Sequence, residues 1–368
     1  MNIFISATEQ SGDNIGSNIM RLLLDNNQYI KFDGVGGSKM NPFFNNQYFD
    51  IKDFKTIGLI EIIFSLKKYL KMIFFLSNKI IINNYDLVIT IDSPDFNYPL
   101  VKRVRKKNYN KSIIHIVAPT VWAWRPYRAH KFSKIFDEIL VLFEFEKIYF
   151  TKYGLKSTFI GHPIYYIKAN NDNKFKKKNI AFLPGSRLNE IQSLFYFFQI
   201  AYKNLLITNP NIVIFIPTLP HLKNIIENYV KDWKLKVIVS INNEDIEYNY
   251  SLTRYALVCS GTASLEIAKR QIPQLIIYKL NFLTEIIFRN FIKIRFASII
   301  NIIENKIIIP ELTNSNLSKK KFINYFHNLI TDDNANNIQI LNVKKTLLKI
   351  QNKKSPYLIA VERINSYL

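Results

Sequence analysis

Short apolar runs alternate with longer helix-like segments along the sequence, and they do so in two successive sets. The first set consists of "NIFIS" (2–6), "KFDGVG" (31–36), "DLVITI" (86–91), "SIIHIV" (112–117) and "EILVLF" (138–143). The second consists of "NIAFLP" (179–184), "NIVIFIP" (211–217), "KVIVSI" (236–241), "YALVCS" (255–260) and "QLIIYK" (274–279). Strands that alternate with helices predict parallel, doubly wound sheets. The expected fold class is α/β, with two Rossmann-like domains that face a cleft.

A polar segment, "KANNDNKFKKKN" (168–179), separates the two sets and is typical of a linker. We therefore expect a first domain over 1–167, a linker over 168–178 and a second domain over 179–345. The remaining residues, 346–368, include "SPYLIAVERINSYL" (355–368), which has the pattern of an amphipathic helix. We expect this helix to return to the first domain, where it could also support exchange in a homodimer.

The chain of 368 residues has a formal net charge of +22. Such a charge favours an anionic partner, which could be nucleic acid, a phospholipid surface or a phosphorylated substrate. Because Lys, Asn and Ile dominate throughout, AT-rich coding is an alternative explanation of the charge. The basic residues are dispersed and no nucleic-acid-binding motif is present, so we expect no nucleic-acid partner.

Cys259 is the single cysteine, which excludes an internal disulfide and a cysteine-based zinc site. The expected compartment is therefore the reducing cytoplasm. The sequence shows no signal peptide and no uninterrupted apolar run of about eighteen residues, so we expect no membrane-spanning helix. Any contact with a membrane would be peripheral.

Small and acidic residues follow two of the predicted strands in the first half. Ser11, Gly12 and Asp13 come after the first strand and lead into a helix, where backbone amides could bind an anion. The alternative is a plain helix cap at a tight turn. Asp92 ends a buried strand, and a partly desolvated carboxylate in that position can act as a general base. Asp95 could instead cap the following helix.

Two similar turns occur in the second half. Gly185 and Ser186 turn the chain after a strand and Arg187 opens a helix, which predicts a pyrophosphate site, although the spacing is not that of a Walker A loop. The next turn contains Ser260, Gly261 and Thr262, and Glu266 lies four residues after Thr262. A carboxylate there could accept hydrogen bonds from ribose hydroxyls. Together these features indicate a sugar-nucleotide glycosyltransferase.

The ordered segments resemble the lipid-A-disaccharide synthases of bacterial outer-membrane lipid synthesis. The resemblance rests on "ATEQSGDNIG" (7–16), "GVGGSKM" (34–40), "IDSPDFN" (91–97), "VAPTVWAWRPYR" (117–128), "GHP" (161–163), "LPGSR" (183–187) and "SGTASLE" (260–266). It implies the two-domain, B-type glycosyltransferase (GT-B) fold and no metal or other cofactor.

The reaction that the resemblance implies is transfer of 2,3-diacylglucosamine from UDP-2,3-diacylglucosamine to 2,3-diacylglucosamine 1-phosphate, which gives a β-1,6 disaccharide 1-phosphate and UDP. By resemblance, Asp92 is the catalytic aspartate and Arg187 the essential arginine, while Asn301 and Glu311 belong to the UDP-sugar site. Two positions depart from the family pattern. Thr8 stands where the family usually has glycine, and Ile300 stands in "IIN" (299–301) where it tends to have Leu-Pro-Asn.

Two segments suggest contact with lipid. Trp122 and Trp124 suit a boundary between apolar and wet surroundings, and Arg125 and Arg128 could bind a phosphate, although the indoles could instead fill the wall of the cleft. The segment at 57–76 has apolar residues at helical spacing with lysines near the other face. Either it lies on an anionic leaflet or it packs on its own sheet. Its candidate membrane-facing residues are Leu59, Ile62, Ile63 and Leu66, which predicts peripheral association with the inner membrane.

One further enzyme class fits the same architecture. A UDP-sugar 2-epimerase would also use two Rossmann-like domains, with carboxylates and histidines acting at C2 of the sugar. His162 is a possible participant in that chemistry. The alternative for His162 is support of the turn at "GHP".

Overall fold

The computed structural model describes residues 1–54, 61–167, 178–259, 261–279 and 295–368. These residues form two compact units. The first combines Met1–Pro163 with Ile350–Leu368, and the second is Ile164–Lys349. The predicted linker lies outside the described residues except for Lys178.

Among the described residues, the first unit contains a sheet of seven parallel strands in the order β3-β2-β1-β4-β5-β6-β7. The strands are β1 (Asn2–Ala7), β2 (Lys31–Gly36), β3 (Asn46–Asp50), β4 (Leu87–Ile91), β5 (Ser112–Ile116), β6 (Glu138–Val141) and β7 (Lys156–Phe159). Every residue of β4 is buried. A continuous apolar run is the pattern expected where helices cover both faces of a parallel sheet.

The described part of the second unit contains a sheet of six parallel strands in the order β10-β9-β8-β11-β12-β13. The strands are β8 (Asn179–Leu183), β9 (Val213–Pro217), β10 (Val237–Ser240), β11 (Thr253–Cys259), β12 (Gln274–Tyr278) and β13 (Glu311–Thr313). The ten predicted strands therefore all form, with ends that differ by up to two residues.

The described helices pack against these sheets through apolar stripes. In α1 the buried stripe includes Ile15, Ile19 and Leu23, which recur every fourth residue. The α-helices are α1 (Gln10–Asn26), α2 (Glu61–Asn83), α3 (Pro94–Lys106), α4 (Tyr127–Ser133), α5 (Lys147–Thr151), α6 (Leu188–Thr208), α7 (Lys223–Val230), α8 (Asn243–Ser251), α9 (Thr262–Lys269), α10 (Ile299–Glu304), α11 (Lys319–Thr331), α12 (Asp333–Leu348) and α13 (Pro356–Asn365).

Three strands, β3, β7 and β13, were not predicted from the sequence, and each lies at the edge of its sheet. Their sequences are "NQYFD", "KSTF" and "ELT". An edge strand is only partly covered, so it does not need an apolar run. This explains why the apolar pattern identified the inner strands and missed these.

The C-terminal helix α13 packs against the first unit. Arg363 donates from Nε and Nη2 to the two carboxylate oxygens of Glu138, at 2.9 Å each. Glu138 begins β6 and is fully buried. A buried carboxylate needs such a partner, so the ion pair ties α13 to the sheet.

The strand order reverses between β1 and β4 in the first sheet and between β8 and β11 in the second. In open α/β sheets, ligands bind beyond the carboxyl ends of the strands at these reversal points. Ser11 and Asp92 follow β1 and β4. Gly185 and Gly261 follow β8 and β11. The topology therefore places the predicted site turns at the two reversal points.

Candidate active site

Asp92 lies directly after the buried strand β4 in a left-handed backbone conformation, with φ of +53°. Ser93, which caps α3, is also left-handed, with φ of +45°. The Asp92 backbone N–H donates to the Ile116 carbonyl at 2.8 Å, and its carbonyl accepts from the Asn97 side chain at 2.8 Å. Consecutive left-handed non-glycine residues are uncommon and cluster at functional sites. The backbone on both sides of Asp92 is thus held firmly in a strained turn.

The Asp92 carboxylate is half-buried and accepts two hydrogen bonds from the described residues. It accepts one from the Ser93 backbone N–H at 2.8 Å and a long one from the Ser11 hydroxyl at 3.4 Å. Burial raises the pKa of Asp92, and the neighbouring Glu9 carboxylate raises this pKa further. These are the surroundings that make an aspartate a stronger general base.

Glu9 was not selected as a site residue from the sequence. It is exposed just before α1, and its carboxylate accepts a hydrogen bond from the Ser93 hydroxyl at 3.3 Å. The contact joins residues 84 positions apart, so local patterns could not find it. The sequence feature that could have identified Glu9 is its position as an acidic residue in the turn after β1, the strand that neighbours β4.

Ser11, Gly12 and Asp13 form the first turn of α1 rather than a loop before it. Ser11 faces Asp92, whereas a Cβ at Gly12 would lie 3.1 Å from Ala7 Cβ, so glycine lets α1 pack closely on β1. Asp13 is fully buried and accepts hydrogen bonds from the backbone N–H groups of residues 37, 39 and 40 at 2.7–3.1 Å. The Asp13 carboxylate thus fixes the neighbouring "GVGGSKM" turn, and anion binding by the backbone amides of residues 11–13 stays a prediction.

Thr8 departs from the family pattern without distorting the chain. It is buried, and its φ does not fall in the positive range that favours glycine. A threonine therefore fits this backbone.

The tryptophan segment forms the loop between β5 and α4 and the first turn of α4. Trp122, Trp124 and Arg125 lie in the loop and Arg128 lies in α4, and all four are half-buried. Trp122 donates from Nε1 to Glu146 at 3.1 Å. The Arg125 guanidinium lies over the Trp124 ring, 5.1 Å from its centroid.

Both arginines of this segment already have an acidic neighbour. Arg128 is hydrogen-bonded to Asp95, and Arg125 Nη1 lies 3.7 Å from the same carboxylate. Asp95 lies in the first turn of α3, so it is not the N-cap that the sequence suggested. The predicted free cations are thus partly neutralised, although Arg125 stays two-fifths exposed.

The turn at 185–187 joins β8 to α6. Gly185 has φ of +115°, a conformation that suits glycine, and Arg187 caps the helix with its side chain 79% exposed. Glu190, in the first turn of α6, accepts from the Ser186 backbone N–H and from Arg187 Nη1, both at 3.2 Å. The amide and the guanidinium predicted to bind a diphosphate therefore converge on one carboxylate.

The second turn of this unit precedes α9. Gly261 is left-handed with φ of +122° and caps the helix, and Thr262 is exposed in its first turn. Ser260 lies outside the described residues. Glu266 is half-buried one helical turn further on, and burial raises its pKa against the opposing effect of Arg270.

Asn301 and Glu311 are engaged with each other and with the backbone. Asn301 is fully buried, and its amide makes all four of its possible hydrogen bonds, to residues 308, 309 and 311. Glu311 accepts from the backbone N–H groups of Ala297 and Ser298 at 2.9–3.1 Å. In this structure every donor and acceptor of the Asn301 side chain is used within the protein, and its place in the UDP-sugar site stays a prediction. Ile300 is buried beside it in α10.

Helix α2 presents apolar and basic side chains together on its outer face. Leu66, Leu70 and Phe74 are 59%, 56% and 53% exposed. Lysines 67, 68 and 71 are exposed beside them. The sequence suggested that the lysines lie near a different face from the apolar residues, and for Leu66, Leu70 and Phe74 this is wrong. The opposite face buries Met72, Ile73, Leu76 and Ile80. Leu59 and the side chains of Ile62 and Ile63 lie outside the described residues.

No group of three or more His, Cys, Asp or Glu side chains among the described residues is placed to hold a metal ion. No described helix is both long and apolar enough to span a bilayer.

A model of the lipid-A-disaccharide synthetase family matches residues 3–360. The chain belongs to this family. The lipid-A-disaccharide synthase of Rickettsia prowazekii is 35% identical over 375 residues, which cover 98% of this chain and 98% of that protein. As a member of the lipid-A-disaccharide synthetase family, the chain is a glycosyltransferase of lipid A biosynthesis, which confirms the prediction from the sequence.

Solved structures confirm the fold. MurG of Acinetobacter baumannii has a TM-score of 0.59 at 13% identity, covering 99% of both chains. The UDP-GlcNAc 2-epimerase of Neisseria meningitidis, bound to UDP-GlcNAc, gives the same score, identity and coverage. At such identities the likeness establishes the two-domain α/β fold of the GT-B class and nothing about activity. Family membership does not favour the epimerase alternative.

His162 also has a structural role in this protein. Its backbone N–H donates to the Ile350 carbonyl at 3.0 Å, and its ring lies 5.3 Å from that of Phe143. Burial lowers the pKa of His162 to about 4, so its ring is neutral at neutral pH. It supports the turn that receives the returning C-terminal segment.

Proposed function

We propose that this glycosyltransferase moves 2,3-diacylglucosamine from UDP-2,3-diacylglucosamine to the 6-hydroxyl of 2,3-diacylglucosamine 1-phosphate. The observation that carries the proposal is the half-buried Asp92 carboxylate, held in a left-handed turn at the reversal point between β1 and β4, where ligands of such sheets bind. The first unit takes the acceptor and the second takes the UDP-sugar.

In the proposed reaction Asp92 accepts the proton of the acceptor hydroxyl. The acceptor oxygen bonds to the anomeric carbon on the face opposite UDP, while the bond between that carbon and the diphosphate oxygen breaks. The bonding electrons leave with UDP, and the configuration inverts to give the β-1,6 disaccharide 1-phosphate. A positioned general base is worth about 10²–10⁴-fold in rate.

On the donor side, Arg187 and the amides of residues 185–187 hold the diphosphate. In the free protein the Glu190 carboxylate accepts the hydrogen bonds of the Ser186 amide and the Arg187 guanidinium. In this proposal the diphosphate replaces that carboxylate. The guanidinium then stabilises the negative charge that develops on UDP. Glu266, one turn into α9, accepts hydrogen bonds from the ribose hydroxyls, and Gly261 and Thr262 line the same turn.

On the acceptor side, Trp122 and Trp124 lie where an acylated sugar meets water, and Arg125 and Arg128 attract its phosphate. The outer face of α2 binds a membrane surface in this proposal, since it mixes exposed apolar side chains with lysines. Arg103 adds a cation 4.5 Å from the Phe74 ring. Mixed faces of this kind bind anionic leaflets peripherally.

The direct test supplies both proposed substrates and follows UDP release together with disaccharide formation. We expect UDP and disaccharide in equal amounts, and neither product when the acceptor is omitted. A parallel reaction with UDP-N-acetylglucosamine alone examines epimerisation. Formation of a 2-epimer there, with no disaccharide in the first reaction, contradicts the proposal.

A further inference from the structure

Glu146 is a buried acid with an unusual lack of charge compensation. It is 3% exposed, and no cation among the described residues lies within 4 Å of its carboxylate. Glu138, the other buried glutamate among the described residues, is paired with Arg363. Glu146 instead accepts from the Phe143 backbone N–H and from Trp122 Nε1, both at 3.1 Å. Keeping a carboxyl in such surroundings costs free energy, so its contact with Trp122 calls for an explanation.

The partner of Glu146 belongs to a loop with little regular structure of its own. Between β5 and α4 the chain passes through two left-handed non-glycine residues, Val117 with φ of +72° and Arg125 with φ of +53°. A β-branched residue in that conformation is strained and persists only where its surroundings hold it. The loop therefore depends on tertiary contacts.

The contact with Glu146 is well placed to supply that hold. Trp122 packs edge-on against Phe145, with ring centroids 5.5 Å apart, so its ring and its N–H both meet the turn at 143–146. A few residues further on, the same loop carries Arg125, and α4 carries Arg128. Both reach Asp95, three residues after Asp92.

We propose that Glu146 is a positioning residue for the acceptor side of the active site: it fixes Trp122 through the indole N–H, and so places the loop that carries Arg125. This inference rests on the proposed function, since it deepens the role given there to the tryptophan loop. Glu146 itself does not touch the reacting atoms.

Glu146 could hold Trp122 either because its oxygen accepts a hydrogen bond or because it carries a negative charge, and the two roles can be separated. Burial raises the pKa of Glu146 to about 7, against the lowering effect of its bonds to Trp122 and Phe143. A protonated carboxyl keeps a carbonyl oxygen that can accept from an indole. Glutamine keeps that oxygen and the side-chain volume without the charge, whereas leucine keeps only the volume.

The test compares Glu146→Leu and Glu146→Gln by steady-state kinetics, varying donor and acceptor separately. We expect Glu146→Leu to raise the KM for 2,3-diacylglucosamine 1-phosphate about tenfold, the value of one buried hydrogen bond, with the donor KM changed less than about twofold. Glu146→Gln should restore the acceptor KM to within about threefold of wild type. Glu144→Leu is the matched control, since Glu144 lies in the same turn but is exposed and pairs with Lys147 at 3.0 Å.

A spectroscopic measurement examines the contact without any substrate. Replacing Trp124 and Trp233 with phenylalanine leaves Trp122 as the single indole of the chain. In that background we expect Glu146→Leu to shift the Trp122 emission to longer wavelength and to increase its quenching by acrylamide, and Glu146→Gln to leave both near their starting values.

Two results overturn the proposal. One is unchanged Trp122 emission in Glu146→Leu. The other is an equal loss for both substrates that follows a fall in Tm, because it would make Glu146 only a folding residue. If wild type forms no disaccharide, the proposed function fails, and the Trp122 emission still decides whether Glu146 anchors the loop.

Discussion

The Ser11 hydroxyl lies 3.4 Å from the Asp92 carboxylate, at the carboxyl ends of neighbouring strands β1 and β4. The two residues are 81 positions apart in the sequence. Their meeting marks the reversal point of the first sheet. Among the described residues, Ser11 and the Ser93 backbone N–H are the groups that donate to this carboxylate.

Replacing Asp92 by asparagine should reduce disaccharide formation by about 10²–10⁴-fold, because the amide cannot accept the proton. Burial and Glu9 raise the folded-state pKa of Asp92, so ionisation at neutral pH works against folding. The contribution of the Asp92 carboxyl to the free energy of unfolding is fully present below the unfolded-state pKa. It is lost as the pH rises through the folded-state pKa. The Tm of Asp92→Asn at pH 7 should therefore equal or exceed that of wild type.

The matched control for Asp92→Asn is Asp95→Asn, which removes an exposed carboxylate from the first turn of α3. Thermal melting and product formation are measured on both variants. If Asp92→Asn kept more than about a tenth of the wild-type rate, Asp92 would not be the base.

The pH dependence of kcat/KM should report the Asp92 carboxylate. A base acts when deprotonated, so activity should rise with pH through a pKa above the usual range for aspartate. Glu9→Gln removes a negative neighbour, which lowers the pKa of Asp92 and should move the acid limb to lower pH. The profile is measured for wild type and Glu9→Gln, and a limb that stays in place or moves to higher pH contradicts the assignment.

Replacing Arg187 by alanine should weaken binding of the UDP-sugar by about 10–100-fold, the range for a lost charge-assisted hydrogen bond. Arg254 is the matched control. It is a half-exposed arginine at the opposite end of the same sheet, in β11, where it pairs with Asp333 at 2.9 Å. Titration with UDP by calorimetry compares both variants with wild type. Equal affinities for Arg187→Ala and Arg254→Ala would remove Arg187 from the donor site.

Replacing Leu66 and Leu70 by serine should lower binding to anionic phospholipid vesicles at least about tenfold, since each leucine contributes about 1.5–3 kcal/mol when fully buried. Co-sedimentation with vesicles measures the binding. The control replaces Ile207 and Ile338 of the second unit, which are 84% and 52% exposed. If vesicle binding persisted in the α2 variant but fell in the variant changed at Ile207 and Ile338, the membrane-binding surface of the protein would not be α2.

The sequence by itself determined the α/β class and the inner strands, because a strand covered on both faces must be largely apolar, as β4 is apart from Thr90. It also indicated the turns at Asp92 and Arg187, since small residues and a charged side chain directly after a strand form a recognisable local pattern. The family motifs pointed to the same positions, and the comparisons confirmed the family.

Only the tertiary structure decided which polar side chains have groups left for a ligand. Asp13 and Asn301 carry the residue types of a binding site, yet their hydrogen bonds go to residues 37–40 and 308–311. Conversely, Glu9 and Glu146 gained roles through contacts with Ser93 and Trp122. Hydrogen bonding and burial depend on neighbours that are distant in sequence, whereas strand and helix patterns depend on adjacent residues. This difference is why local sequence could place the turns but could not assign the roles of their side chains.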